Sequence, residues 1–396
     1  MNRISLPYGI DNFETVRTSN CYYIDKTGFI KELLGEAFSV NLLTRPRRFG
    51  KTLTMSMLAE FFDIRKDSRA LFDGLEISEE LELCRQWMNQ YPVLSLTLKD
   101  VEGSRFEDAY GLLKFVISSL CIEHSYLGES DKTDEYDVPL AKAGDYNYYE
   151  EMLNIVKRFL GMVWKSNPYL QFAVVSGCLR IAKESIFTGA NNFISNSISD
   201  THYQNYFGFT EEEVRTLLED AGFPEALLEI KRWYDGYRFG EKEIYCPWDV
   251  INHVRALMQN PGAEPENYWI DTSHNNIIRR FIELPDINVN DKFETLLSGS
   301  VIQVRIREDL TYDIADSSEE NLWSILYLTG YLTQVLPEDL PDGMKMERDK
   351  KVLRIPNEEI KSVFSDTVKA WFEDKIEAED RREFFREGMH DTVGRE

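Results

Sequence analysis

The sequence predicts an α/β protein: a parallel sheet covered by helices in the first half, followed by a mainly helical second half. Three observations carry this. Short apolar runs at Ser39 to Thr44, in "YPVLSLTLKD" (Tyr91 to Asp100) and in "LQFAVVSG" (Leu170 to Gly177) read as strands. Helical patterns at Phe106 to Leu120 and Tyr148 to Trp164 separate them, and strands alternating with helices build a parallel sheet buried on both faces. After about Asp200 the apolar runs give way to helical periodicity.

Taken in order, residues 1 to about 37 include "YYIDKTGFIKELL", where Phe29, Ile30, Leu33 and Leu34 recur at helical spacing and Asp25 or Thr27 is placed to cap the helix. The helix after Lys51 carries Leu53, Met57, Leu58, Phe61 and Phe62. In the second half "FTEEEVRTLLEDAG" opens with a capping box from Thr210 to Glu213 and ends in a glycine stop. Further helices are expected at Glu225 to Trp233, Pro247 to Met258, Asn275 to Leu284 and Ser318 to Leu328, with one late strand in "KKVLRIP" (Lys350 to Pro356). The charged tail over 374–396 reads as an exposed helix or a frayed end.

With 396 residues, 43% of them hydrophobic and 13% aromatic, the chain can fill two or three domain cores. Its formal net charge of −24 opposes unspecific attraction to nucleic acid or anionic membrane. The five cysteines (Cys21, Cys84, Cys121, Cys178, Cys246) are scattered and never in C-x-x-C spacing, which fits a reducing compartment. No signal-peptide core and no spanning apolar run is present, so the expectation is a cytoplasmic protein without membrane contact. The five histidines show no metal-ligand spacing, and no Ser-His-Asp or Cys-His arrangement is suggested.

The stretch "VNLLTRPRRFGKTLTMSML" (Val40 to Leu58) runs from strand to turn to helix through Gly50, Lys51 and Thr52. That is the order of a phosphate-binding loop, in which backbone N–H groups and a helix N-terminus surround phosphate, the lysine reaches the β- and γ-phosphates and the hydroxyl meets Mg2+. Arg45 stands where the pattern has its first glycine, and Pro46 follows it, which requires a different path out of the strand. Arg47 and Arg48 add charge that can contact phosphate. The plainer reading of the same residues is a solvated basic turn capped by a glycine.

Several longer segments share one likeness: "LPYGIDNFETVRTSNCYYIDKTGFIKELL", "LLTRPRRFGKTLTMSML", "SGCLRIAKESIFTGANNF", "YFGFTEEEV", "WYDGYRFGEKEIYCPWDVINHV" and "LWSILYLTGYLT". In order and spacing, over roughly residues 6 to 370, they resemble the bacterial AAA-ATPase-like family, whose own form of the loop is R-P-R-R-F-G-K-[ST]. The resemblance implies an ASCE- or STAND-like P-loop NTPase core over 1–200, a helical, winged-helix-like lid over 201–373, and ATP with Mg2+ as cofactors. It carries Arg47, Arg48, Phe49, Gly50, Lys51, Thr52 and Leu53 over as the nucleotide-binding loop, with Thr52 also on the metal. Family members often bear a C-terminal PD-(D/E)XK-type nuclease domain; here the chain stops about where it would begin, so nuclease activity is not expected in this polypeptide, and a nuclease domain or nucleic acid in trans is the partner implied. Oligomeric state is not legible.

The family's Walker B motif, D-E-Y-D, matches Asp134, Glu135, Tyr136 and Asp137; by the resemblance Asp134 holds Mg2+ and Glu135 activates water. The residues before it, "YLGESDKT", lack the apolar run of a buried strand, so this chain departs from the family there. By periodicity alone Asp100, after Val93 to Leu98, is the better carboxylate, although the resemblance places that strand elsewhere in the sheet. Ser176 and Arg180 resemble a sensor strand or simply end one; Asn191 and Asn192 read as turn formers; Asp25, Lys26 and Thr27 either cap a helix or lie near nucleotide; Arg238 is either packed with the aromatics of "WYDGYRFG" or senses nucleotide from the lid.

Three functions follow from these residues. The first is an ATP-binding P-loop ATPase used as a nucleotide-dependent switch. The second is a non-hydrolysing nucleotide-binding or protein-interaction scaffold, which the absent Walker B strand favours. The third is a nucleic-acid-binding module using Arg45, Arg47, Arg48 and Lys51, with steep salt dependence.

Overall fold

The computed structural model describes residues 4–36, 40–126, 133–134, 143, 148–164, 167, 169–179, 193–269, 290–308, 310 and 318–366. At its centre lies β1 (Val40–Thr44), every residue of which is buried. It pairs in parallel with β4 (Ala173–Gly177) on one side and β5 (Phe193–Asn196) on the other, with Leu43 opposite both Ser176 and Asn196. The short strands β2 (Leu96–Thr97) and β3 (Thr133–Asp134) form a second parallel pair, and β3 lies beside β4, giving the order β2-β3-β4-β1-β5 across the molecule.

Alternation along these strands divides the apolar residues between two cores. Leu43 and Val174 face one core with Met57, Leu58, Phe61 and Phe62 of α3 (Lys51–Phe62) and Phe13 of α1 (Phe13–Thr18). Val40, Leu42, Ala173 and Val175 face the other, with Leu113 and Leu120 of α7 (Phe106–Glu123) and Met152, Val156 and Leu160 of α8 (Tyr149–Trp164). Burying each large aliphatic side chain contributes about 1.5–3 kcal/mol, so both faces hold the sheet in place. Between α1 and α7 the chain forms α2 (Gly28–Gly35) and three short helices, α4 (Arg69–Phe72), α5 (Glu76–Glu79) and α6 (Leu81–Trp87).

Of the strand expected from Tyr91 to Asp100, Leu96 and Thr97 join β3, and Tyr91 forms an isolated parallel bridge with Asp63. Val93, Leu94 and Leu98 are nevertheless buried, so the segment keeps its place in the core beyond the ladder.

The second half begins with α9 (Glu211–Ala221). Its capping box is present, Thr210 accepting from the Glu213 amide and Glu213 from the Thr210 amide, and Gly222 ends the helix in a left-handed conformation. α10 (Leu227–Tyr234) and α11 (Pro247–Gln259) complete a third core around Leu217, Ile230 and Val254. α12 (Asn290–Leu297) and α13 (Glu319–Leu328) follow.

This half carries more strand than its helical periodicity announces. β6 (Tyr237–Phe239) and β7 (Lys242–Ile244) form a hairpin, and β10 (Lys351–Arg354) lies antiparallel between β8 (Ile302–Val304) and β9 (Thr333–Val335). Of these, only β10 was expected; segments of three residues are too short to display alternation. The apolar core of the first sheet face runs on into Trp323, Leu326 and Leu353. The helix expected at Asn275 to Leu284 and the tail over 374–396 lie outside the described residues. No described helix is long and apolar enough to cross a membrane.

Candidate functional site: the Arg45 to Thr52 loop

The loop leaves β1 at Arg45, whose amide donates to Gly177 O (3.1 Å) and so extends the β1–β4 ladder by one residue. The side chain turns away from the loop and is fully buried. Nη1 donates to Thr44 O and Asn196 O, both at 2.9 Å, and Nη2 to His202 O at 3.4 Å. The guanidinium lies over the rings of Phe207 (5.1 Å) and Phe239 (5.4 Å). Burial lowers its pKa to about 10, with Asp200 acting in the opposite sense. Arg45 therefore ties the strand end to the helical half, and the four cations Arg45, Arg47, Arg48 and Lys51 do not form one surface patch.

Arg48 and Gly50 have positive φ, 69° and 81°. A Cβ on Gly50 would meet nothing within 4 Å, so glycine answers here to the backbone conformation, and the space beside it is open. The strained Arg48 is held from the second half: its guanidinium lies 4.9 Å from the Trp248 ring centroid and Nη1 donates to Tyr268 O. Phe49 is buried against Tyr237 and Phe239, both rings at 5.0 Å. Its side chain anchors the loop, which leaves its backbone as the part available to a ligand. Arg47 is exposed, and Thr52 and Leu53 are half-buried.

Lys51, 4% exposed, starts α3. Its Nζ donates to Arg45 O (3.2 Å) and Pro46 O (3.0 Å) and is 3.7 Å from Cys178 Sγ, just beyond β4. The ammonium is thus enclosed by the loop, beside helix-start amides that have no intrahelical acceptor and carry partial positive charge. This is an arrangement for an anion.

The second expected element is β3, whose ladder includes Asp134 opposite Thr97. The first residue of the acidic motif thus stands in a strand, although no apolar run announces it; residues 127–132 before it lie outside the described residues. Glu135, Tyr136 and Asp137 lie outside the described residues, as do Arg180, Asn191 and Asn192. Asp100 is exposed beyond the end of β2, one strand further from β1 than β3 is. Ser176 is buried on β4 beside Leu43.

The remaining candidates serve the fold. Asp25 accepts from the Thr27 amide (2.8 Å) and hydroxyl (2.7 Å) and from the Glu76 amide (2.6 Å), joining α2 to α5. Lys26 donates to Glu213 at 2.6 and 2.8 Å, so the glutamate of the capping box also anchors the N-terminal segment. Arg238 pairs with Glu243 and Asp339, each at 3.2 Å. Gly236, with φ 86°, permits the tight turn in "WYDGYRFG": a Cβ there would fall 2.2 Å from Pro356 O.

Sequence reasoning missed Trp248, Tyr268 and Cys178, the neighbours of Arg48 and Lys51. Only the aromatic density of "WYDGYRFG" and "CPWDV" hinted at a wall around the loop.

Residues 7–130 and 133–187 match the model of the predicted AAA-ATPase family. An "Uncharacterized protein in vnfD 5'region" of Azotobacter chroococcum mcd 1 is 29% identical over 303 residues, 69% of this chain and 55% of that protein, so the chain spans about half the length of this curated relative. Among solved structures, the Walker-type ATPase paby2304 of Pyrococcus abyssi aligns over 88% of this chain and 97% of its own at 13% identity, with a TM-score of 0.37.

Proposed function

We propose, on the match of residues 7–130 and 133–187 to the predicted AAA-ATPase family, that this chain binds Mg2+-ATP at the Arg45 to Thr52 loop, hydrolyses it, and uses occupancy of the loop to set the position of the helical half. The observation that carries the reading is the seat of Lys51: an ammonium 4% exposed, held by two loop carbonyls at the start of a helix, next to a left-handed Gly50 with open space beside it. Those donors fit a triphosphate.

The backbone of Arg47 to Leu53 would surround the phosphates, Lys51 would exchange its carbonyl partners for phosphate oxygens, and Thr52 with Asp134 would hold the metal, which would supply charge neutralisation at the phosphates. Glu135 orients water, and the cationic groups beside the loop stabilise charge that develops in transfer. The strand order β2-β3-β4-β1-β5, with β3 separated from β1 by β4, supports the ASCE-type assignment. The three-stranded antiparallel sheet of the second half supports a winged-helix-like lid over 201–373, with 1–200 as the nucleotide domain and 374–396 as a tail.

A second reading, a nucleotide-binding scaffold without turnover, is favoured by one observation: β2, described throughout, pairs with β3 at Leu96 and Thr97 alone. Calorimetric binding of Mg2+-ATP and phosphate release, for the wild type beside Lys51→Ala and Glu135→Gln, decide between them. The ATPase reading expects Lys51→Ala to weaken binding and Glu135→Gln to bind without turnover. Binding without turnover in the wild type leaves the scaffold; no binding at all sinks both.

A further inference from the structure

The second half holds two carboxylates that no solvent reaches. Asp249, in the first turn of α11, and Glu359, in the helical residues 358–366, are each 0% exposed. Glu359 Oε1 accepts the amides of Tyr268 (2.6 Å) and Trp269 (2.9 Å). Asp249 Oδ1 and Oδ2 and Glu359 Oε2 have no N–H or O–H donor among the described residues, yet the two carboxyl groups meet each other. Two desolvated charges in contact are costly, so such a pair retains one proton and shares it.

The pair closes a circuit onto the phosphate loop. Arg48 donates to Tyr268 O, the Tyr268 amide donates to Glu359, Glu359 meets Asp249, and Asp249 lies within the field of the Arg48 guanidinium. Cys246, whose Sγ is 3.9 Å from Arg48 O, adjoins Asp249 and completes the ring. Arg48 is also the loop's one described non-glycine residue with positive φ, so what holds it there sets the shape of the loop.

We propose that Asp249 and Glu359 are positioning residues for the nucleotide site: as a singly protonated pair they hold Arg48 and the left-handed turn of the loop, and departure of the shared proton releases both. This rests on the nucleotide reading above. The groups facing the pair are Arg48, Cys246, Tyr234, Tyr237 and Tyr268; burial raises the pKa of the thiol and of all three phenols, so they stay neutral while the pair titrates. Burial, together with the repulsion of a second carboxylate at Glu359, holds the pair's proton above the ordinary carboxylate range. The folded protein therefore keeps a proton that the unfolded chain has released. The pair's contribution is complete below the ordinary value and is lost as pH rises through the raised one.

The test is the affinity for Mg2+-ATP, by calorimetry, and the thermal midpoint from about pH 6 to about pH 9, in the wild type, Glu359→Gln, Asp249→Asn and Lys51→Ala. A glutamine at 359 can still accept from Tyr268 and Trp269 while its amide donates to Asp249, which reproduces the protonated pair at every pH. The wild type is expected to weaken with rising pH, by at most about tenfold per pH unit for one proton, and each amide variant to show a flatter profile in both readouts. Equal profiles in the wild type and both amide variants, with binding weakened only in Lys51→Ala, overturn this proposal and leave the nucleotide site standing. Failure of both amide variants to fold also overturns it, since each supplies the bond the proton would make. No binding by the wild type overturns both readings.

Discussion

The ends of β1 and β3 carry the two halves of the proposed nucleotide site, and they are built very differently. β1 has five residues, all buried, with a parallel partner on each side. The loop after it is fixed by Arg45, Phe49 and Arg48, each seated on residues of the second half. The described residues of β3, Thr133 and Asp134, pair with a two-residue β2. The loop proposed for phosphate therefore rests on a densely packed frame, whereas the carboxylate proposed for the metal rests on a two-residue pairing. The comparison teaches that the two halves proposed for such a site can be committed to different degrees in neighbouring strands.

The largest expected effect tests the weaker end. Replacing a general base or water-orienting group costs about 10²–10⁴ in rate, so Glu135→Gln should reduce phosphate release by that much while Mg2+-ATP affinity is kept; unchanged turnover would show that β3 does not aim this residue at the site. Next, Leu42→Ala, at a fully buried position in β1, should cost about 2–5 kcal/mol in urea denaturation, and Leu96→Ala in β2 should cost less because an edge collapses around the cavity. Equal costs would break the contrast in commitment. Lys51→Ala removes a charged partner and should weaken Mg2+-ATP by about 1.5–3 kcal/mol in calorimetry, with thermal stability little changed. Thr210→Ala, remote from both strand ends, should cost about 0.5–2 kcal/mol of stability and leave affinity unaltered, which marks the baseline for the others.

Much of the stronger end was legible in the sequence. The apolar runs before Arg45 and Ser176 read as strands because a strand buried on both faces needs apolar side chains on both, and the turn to α3 is marked by Gly50, Lys51 and Thr52. The capping box at Thr210 was legible for a local reason: its two bonds join residues three apart. Burial of Arg45 was not, since an arginine's expected place is the surface, and what turns it inward is a pair of aromatic rings more than 150 positions away. Lys26 escaped in the same way, its partner Glu213 being visible only as part of a helix cap. β3 escaped because two residues carry no period, and the β8-β10-β9 sheet because only one of its strands exceeds three residues.

The inward guanidinium of Arg45 has one more consequence. Of the aromatic side chains that cover it and the neighbouring Phe49, Phe207, Tyr237 and Phe239 all come after residue 200. A fragment cut at that point would carry the whole loop sequence and still open a charged side chain and a phenylalanine to water at the root of α3. The change of sequence character near Asp200 marks where the pattern shifts, and it is not a line along which the molecule comes apart.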